Sequence, residues 1–158
     1  MNKHPERGMK LAAVAAAALG LLAAFVLLPT LASAMLEEYP AYQKWYWPGL
    51  VYCWIVLRPG FAGLWEFWKI CVQIGRDNSF SQENARSLFR ICLLALTMAA
   101  LLVVGVAALC LLGMGRPALL IAMLGFAAAC ALVALLANAL SQLVRRAAAI
   151  KSENDLTI

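Results

Sequence analysis

The sequence predicts an all-α integral membrane protein, a single domain over residues 1–158 in which four transmembrane helices form two antiparallel hairpins of a four-helix bundle. Of its residues, 65% are hydrophobic and 13% are charged, and the mean hydropathy is +0.82. One soluble core of this size could not bury so much apolar side chain, so lipid must cover the excess. The apolar residues also fall into long runs, and about 20 helical residues cross a bilayer.

The first predicted span covers residues 11–35 and follows a short basic N-terminal segment. An apolar run of this length suits a transmembrane helix. A cleaved signal peptide is the alternative, because Ala32–Ala34 fits the small-residue cleavage pattern. The run is longer than the usual signal-peptide core and more spans follow it, so the sequence favours a retained helix.

The second predicted span, residues 48–74, follows a connector rich in Tyr and Trp. These side chains favour the level of the lipid headgroups, so the connector marks one membrane face; an aromatic ligand platform is the alternative. Arg58 falls near the middle of the span, where a charge costs at least about 2.5 kcal/mol and needs a partner or a route to water. The predicted partners are Glu66, the pair Glu37 and Glu38, and the Ile55 carbonyl, which a following proline leaves without its helical donor.

A polar stretch between the two hairpins, residues 75–87, forms the predicted central loop. Its Asp-Asn-Ser segment favours a turn, after which helix restarts. Ser79 and Ser81 are the two candidate N-caps, each with a polar residue three positions later. Glu83 then falls in the first helical turn, where a negative charge suits the helix dipole.

The third and fourth predicted spans, residues 88–112 and 117–142, are joined by a short link that makes them antiparallel. Pro117 suits the first turn of the fourth helix. In the tail, residues 143–158, apolar residues keep helical spacing, so helix is expected to continue to about Lys151. Acidic residues at a helix C-terminus oppose the dipole, so residues 152–158 are predicted to lie outside the helix.

The distribution of Lys and Arg predicts the orientation. Only Lys44 and Arg116 lie in the first and third connectors. Cytoplasmic segments carry the excess of Lys and Arg, so both termini and the central loop are predicted to lie in the cytoplasm. The ten residues that support this orientation are Lys3, Arg7, Lys10, Lys69, Arg76, Arg86, Arg90, Arg145, Arg146 and Lys151.

Several kinds of site have no support in the sequence. The five cysteines form no CxxC pair and lie in apolar surroundings, which predicts buried, reduced thiols. His4 is the only histidine, so a metal or haem site has almost no ligands, and no cofactor is predicted. No catalytic motif is present, which argues against an enzyme. The basic residues flank apolar runs and form no continuous stripe, so direct nucleic-acid binding is not expected.

Two segments, Asn78–Asn84 and Lys151–Ile158, resemble a family of small bacterial membrane proteins catalogued as domain of unknown function 2975. The resemblance covers nearly the whole chain as a four-span layout and implies a place in the bacterial inner membrane. Members of such families are often encoded beside a small helix-turn-helix regulator, so the resemblance implies a membrane partner or sequestering factor for a transcription regulator. No catalytic residue carries over, and Arg58 matches no position of the family pattern.

The leading functional hypothesis is a non-enzymatic regulator that docks a small DNA-binding regulator protein through the central loop and the tail. For Arg86 and Arg90, contact with lipid phosphate alone is the alternative. The bilayer and a second copy of the chain are the other predicted partners. The predicted partner-binding residues are Asn78, Phe80, Glu83, Asn84, Arg86, Arg90, Glu153, Asn154, Asp155 and Leu156.

The second hypothesis is a small transporter or channel in which Arg58 and Glu66 are intramembrane charges. A helix break at Pro59–Gly60 would place Arg58 at an anion site, since broken helices at the bilayer midplane mark transport sites. The scarcity of other polar groups within the spans argues against it.

Overall fold

The computed structural model describes the backbone of residues 4–75 and 81–156, and the side chains of residues 8–75 and 81–152. Within these ranges every element is a helix, which confirms the all-α prediction. The order is α1 (His4–Leu22), a π-helical turn (Ala23–Leu27), α2 (Leu28–Glu38), a 3-10 helix (Pro40–Trp45), α3 (Tyr46–Gly75), α4 (Gln82–Leu111) and α5 (Pro117–Leu156).

Three stretches of the described chain are long and apolar enough to cross a membrane: Gly8–Glu38, Gln82–Leu111 and Pro117–Ser152. By length and composition they indicate a membrane protein, and they agree with three of the four predicted spans. Helix α3 is also 30 residues long. Its hydropathy is lower, because Arg58, Glu66 and several aromatic residues interrupt the apolar run. A membrane crossing by α3 therefore stays a prediction.

The helices form an open row in chain order. Helix α1 packs on α3, α3 on α4 and α4 on α5, whereas no Cα atom of α1 lies within 8 Å of α4 or α5 in the described chain. Neighbouring helices run antiparallel, since Glu66 of α3 meets Arg90 near the start of α4 and Tyr52 meets Leu101 farther along it. The antiparallel neighbours agree with the predicted hairpins, but within the described chain the helices lie in a row, and α1 does not pack on α4 or α5. Lipid tails are as apolar as the helix surfaces, so no hydrophobic force closes the row.

Small residues line the contacts between helices. Alanine and cysteine dominate the buried set, and Cys71 is the largest side chain in the described residues that is completely buried. Gly105 illustrates the need for small residues, because a Cβ atom there would lie 2.9 Å from the Tyr52 ring. Since glycine has no Cβ atom, the Tyr52 hydroxyl can reach the α4 backbone and donate a hydrogen bond to the Leu101 carbonyl. Close approach of this kind is the usual basis of helix association in lipid.

Large apolar side chains point away from the protein instead of into a core. Leu111 is 88% exposed and Phe126 is 67% exposed. Exposed Leu, Val, Ile and Phe side chains occur along all the long helices, outside their polar ends. Soluble monomers rarely expose an apolar area this extensive. Lipid contact is its physical explanation.

A π-helical turn joins α1 to α2 and leaves one backbone acceptor open. The Leu28 N–H bonds the Ala23 carbonyl, five residues back, so it is not available to Ala24. The next donor in a π pattern is Pro29, which has no N–H. The indole Nε1 of Trp54 in α3 donates to the Ala24 carbonyl instead, at 3.0 Å. A side chain from the neighbouring helix thus satisfies the group that the irregular turn exposes.

One predicted helix break and one predicted helix end are wrong. Helix α3 is continuous through Pro59 and Gly60, because α1 and α4 pack on both sides of them: Phe61 lies against Gly20, and Met98 lies against Gly60. Helix α5 continues to Leu156 instead of ending near Lys151. Acidic side chains that oppose the helix dipole at an exposed end cost only about 0.3–1 kcal/mol. This cost is too small to end a helix that is already about 35 residues long at Lys151.

The cysteines are all free thiols, but only some are buried as predicted. Cys71 and Cys92 are buried, and Cys53 and Cys130 are half-buried. Cys110, near the end of α4, is exposed, so the prediction of a buried thiol is wrong there. Its position on the outer surface of the row follows from the same lack of a closed core.

Candidate functional site

The polar ends of α3 and α4 form a groove of about 390 Å³, which we call the basic groove. Helix α3 contributes its last turns and α4 its first ones, on either side of the connector between them. Three cationic side chains and one carboxylate face it. The groove is lined by Trp68, Lys69, Val72, Gln73, Glu83, Asn84, Arg86, Ser87 and Arg90.

The start of α4 is set by a local cap. Ser81 has an extended backbone, and its side-chain oxygen accepts the Asn84 N–H at 3.1 Å. This confirms the second of the two predicted caps, and Glu83 lies in the first helical turn as expected. Because residues three and four apart share a helix face, the cap brings Glu83, Arg86 and Arg90 to one side of α4.

A buried carboxylate joins α3 to α4 beside the groove. Glu66 is 8% exposed, and its Oε1 accepts hydrogen bonds from Lys69 Nζ at 2.8 Å and from Arg90 Nη1 at 3.3 Å. Lys69 is three residues from Glu66 on the same helix face. Arg90 was missed as a partner because it lies 24 residues away. Glu66 Oε2 is also buried and has no hydrogen-bond partner among the described residues.

A second polar contact closes the same end of the α3–α4 pair. The Gln73 side-chain amide donates to the Glu83 carboxylate. Glu83 remains exposed, so it lies at the rim of the groove with its carboxylate held by α3. Two links between the helices, one buried and one exposed, therefore hold the walls of the basic groove in place.

The structure places the predicted partner-binding residues unequally. Glu83, Arg86 and Arg90 are exposed and line the groove, as expected for a contact surface. Asn84 also lines the groove but is only 2% exposed, so its role as a contact residue stays a prediction. Asn78 and Phe80 lie outside the described residues. Glu153, Asn154, Asp155 and Leu156 form the end of α5, and their side chains lie outside the described set.

Helix α5 extends beyond the start of α4. The Ser141 hydroxyl donates to the Ala85 carbonyl at 2.7 Å, close to the first turn of α4. The remainder of α5 continues past that point to Leu156. We call residues 145–156 the C-terminal extension; Arg145, Arg146, Ile150 and Lys151 are exposed on it.

Arg58 lies on the outer surface of α3. It is exposed and makes no hydrogen bond or ion pair with any residue in the described part of the chain. Glu66 was a predicted partner, but it faces α4 and is bound to Lys69 and Arg90. Glu37 and Glu38 do not pair with it either, and Glu38 accepts a hydrogen bond from Tyr39.

The two ends of the row differ in charge. At the far end from the groove, the Arg116 guanidinium lies 3.5 Å from the centre of the Tyr39 ring, which brings the first connector to the α4–α5 turn. Lys44 is the other cation there. At the groove end, Lys10 Nζ lies 5.9 Å from the Trp68 ring. The described Lys and Arg side chains at that end are Lys10, Lys69, Arg86, Arg90, Arg145, Arg146 and Lys151.

Metal ligands are not clustered in the described residues, where no group of three His, Cys, Asp or Glu side chains could hold an ion.

A model of one protein family, described as "Protein of unknown function (DUF2975)", matches residues 30–158 of the chain. No curated protein and no solved structure matches it.

Proposed function

We propose a function from the premise that the chain belongs to the DUF2975 family, whose members are described as proteins of unknown function. In this proposal the chain is a non-enzymatic, four-span protein of the bacterial inner membrane. Its cytoplasmic end docks a small helix-turn-helix regulator and holds that regulator away from DNA. The docking surface consists of the C-terminal extension and the basic groove.

The orientation is supported by charge at the two ends of the row. Seven described Lys and Arg side chains lie at the groove end, and only Lys44 and Arg116 lie at the other. The end with the excess of positive charge faces the cytoplasm in multi-pass proteins. For both ends to lie outside the bilayer, α3 must cross it as well as α4 and α5.

The observation that carries the docking proposal is the length of α5. A helix of 40 residues is about 60 Å long, whereas the hydrocarbon core is about 30 Å thick. A lipid-buried helix does not need the C-terminal extension. There it presents Arg145, Arg146 and Lys151 to water together with Ile150, which is 62% exposed. A rigid helix with an exposed apolar residue among charges is a suitable protein contact.

The partner class follows from the family resemblance and from charge. The basic groove and the extension together would attract an acidic patch on a cytosolic protein, and rim charges of this kind raise the rate of association. The transporter alternative has no comparable support, because α3 is unbroken at Pro59–Gly60 and Arg58 faces outward from the row.

Affinity capture of the full-length tagged chain from native membranes tests the proposal. We expect a small helix-turn-helix protein to co-purify, and the purified pair to re-form in detergent. A chain truncated after Val144, and the pair of substitutions Arg145→Gln and Arg146→Gln, should lose it. The pair Lys44→Gln and Arg116→Gln, an equal loss of two charges at the other end, should retain it.

Each variant is first checked for insertion and for an unchanged thermal transition, so that loss of binding cannot reflect unfolding. The docking proposal is wrong if the same proteins accompany all four chains, or if the truncated chain binds the regulator as well as the intact one.

A further inference from the structure

We propose that the basic groove is a binding site for the phosphate of an anionic phospholipid headgroup, and that Arg86 is the residue that contacts it most directly. The site overlaps the proposed docking surface, of which the basic groove is one part, but it is built from α3 and α4 alone. The inference rests on the charges, the fixed walls and the neighbouring apolar cavity at that end of the molecule.

The cations in the groove keep donors free for a phosphate. Glu66 takes one contact from Lys69 and one from Arg90, whose side chains remain 42% and 59% exposed. An ammonium has three donors and a guanidinium has five, so both groups can bind a second anion. Arg86 is exposed and has no hydrogen bond or ion pair with another described residue. Arg86 therefore offers its whole guanidinium, which suits bidentate contact with phosphate.

Glu66 makes the groove a prepared site instead of a group of mobile surface cations. Its carboxylate is buried between the helices and holds the Lys69 and Arg90 side chains at fixed positions. Side chains that are already ordered lose less entropy when they bind a ligand. The start of α4 adds the partial positive charge of a helix N-terminus beside the same groove.

The surroundings indicate a lipid as the source of the phosphate. Trp68 lines the basic groove and also a second cavity of about 310 Å³, whose other walls are Lys10, Leu11 and Val14 of α1. That cavity is apolar and suits an acyl chain, whereas a soluble phosphate has no use for it. Tryptophan is enriched at the headgroup level, and basic pockets between helices on the cytoplasmic side bind anionic headgroups.

The test is retention of lipid by the purified full-length chain. The protein is released from nanodiscs with equal amounts of phosphatidylglycerol and phosphatidylcholine, and the bound lipids are counted by native mass spectrometry. We expect phosphatidylglycerol to be retained preferentially. Arg86→Gln should lower that retention about fivefold. Arg146→Gln, an equal charge loss at the same end but outside the groove, should not lower it.

A second variant moves the result in the opposite direction. Glu83→Gln removes the one carboxylate that faces the groove, so retention of phosphatidylglycerol should rise; damage to the fold would lower it instead. The proposed site is wrong if Arg86→Gln and Arg146→Gln have equal effects on retention. It is also wrong if the protein shows no preference for phosphatidylglycerol, or if retention does not rise with Glu83→Gln.

Soluble phosphate is the remaining source, and a separate arm examines it. Delipidated protein in neutral detergent is heated with inorganic phosphate or with short-chain phosphatidylglycerol. A higher transition temperature with the lipid alone supports the proposal. Equal stabilisation by inorganic phosphate, lost in Arg86→Gln, would overturn the lipid assignment. No regulator is present in these measurements, so their failure is distinct from failure of the docking proposal.

Discussion

Glu66 is the residue whose environment differs most from what its position in the sequence indicated. A carboxylate that is 8% exposed must be compensated, because an unpaired buried charge is far more costly than an exposed one. Lys69 and Arg90 provide the compensation from two different helices. Both cations remain partly exposed, so solvent screens the pairs and limits their contribution to stability.

Replacing this carboxylate should weaken the α3–α4 contact. We expect Glu66→Gln to lower the free energy of unfolding by about 1–2 kcal/mol, since two charge-assisted hydrogen bonds are lost while Lys69 and Arg90 can still reach water. Reversible unfolding in mixed micelles with increasing SDS measures the change. Glu37→Gln is the control, because Glu37 is exposed and makes no ion pair among the described residues. Equal effects of the two substitutions would contradict a structural role for the carboxylate.

Local contacts could be predicted at the residue scale, and contacts between helices could not. The Ser81 cap and the place of Glu83 in the first turn follow from residues within three positions of each other. The Glu66–Arg90 pair depends on how α3 and α4 face each other, which no local pattern records. The inward orientation of Asn84 was missed for the same reason, since a polar residue beside a cap resembles a surface residue in sequence.

At the scale of elements, the π-helical turn between α1 and α2 depends on another helix. Its open Ala24 carbonyl lies in a stretch long and apolar enough to be surrounded by lipid, where no water can replace the missing donor. The bond from Trp54 Nε1 therefore couples the irregular turn to α3. Prediction from sequence identified the long apolar run but not the turn, because Pro29 alone permits either a kink or a π-helical turn.

A double-mutant cycle tests this coupling. We expect Trp54→Phe to lower the free energy of unfolding by about 1–3 kcal/mol, because it leaves the Ala24 carbonyl without a donor. In a Pro29→Ala background, a backbone N–H is restored near that carbonyl, so the same substitution should cost less. Trp65→Phe is the matched control, since Trp65 is 64% exposed. Equal costs in the two backgrounds would mean that the indole N–H does not serve the turn.

Helix ends show a similar division between local and distant causes. The beginning of α4 was predictable because its cap is a short-range hydrogen bond. The continuity of α3 through Pro59 was not, because packing by Phe61 on Gly20 and by Met98 on Gly60 supports the helix from both sides. The predicted end of α5 was wrong because the unfavourable interaction of acidic side chains with the helix dipole is too weak to end the helix.

For the whole molecule, the number of membrane crossings is the central question, and α3 decides it. If α3 crosses, the first connector and the α4–α5 turn lie on one face, as the contact between Arg116 and Tyr39 requires. We expect alkaline phosphatase to be active when fused after Lys44 or Gly115 and inactive when fused after Gly75 or Ile158. The enzyme folds only outside the cytoplasm, so its activity reports the side.

Green fluorescent protein fused at the same four positions should give the complementary pattern. Phosphatase activity at both Lys44 and Gly75 would mean that α3 does not cross, and the orientation proposed from the charges would then be wrong for the second half of the chain.

The membrane character and the charge asymmetry of the molecule were predictable, because composition and the positions of Lys and Arg carry both. The arrangement of the helices was not. A set of long, largely apolar helices is compatible both with a closed bundle and with a row, and close contacts depend on small residues such as Gly20 and Gly105 at particular faces.

The open row has a consequence for how the protein is made. Each long helix packs only on its neighbours in chain order, so every contact can form as soon as the next helix has been made. No early helix must wait for a late one, and contacts close in sequence form quickly because little chain entropy is lost in bringing them together. Assembly can therefore keep pace with synthesis, one hairpin at a time, from the N-terminus onward.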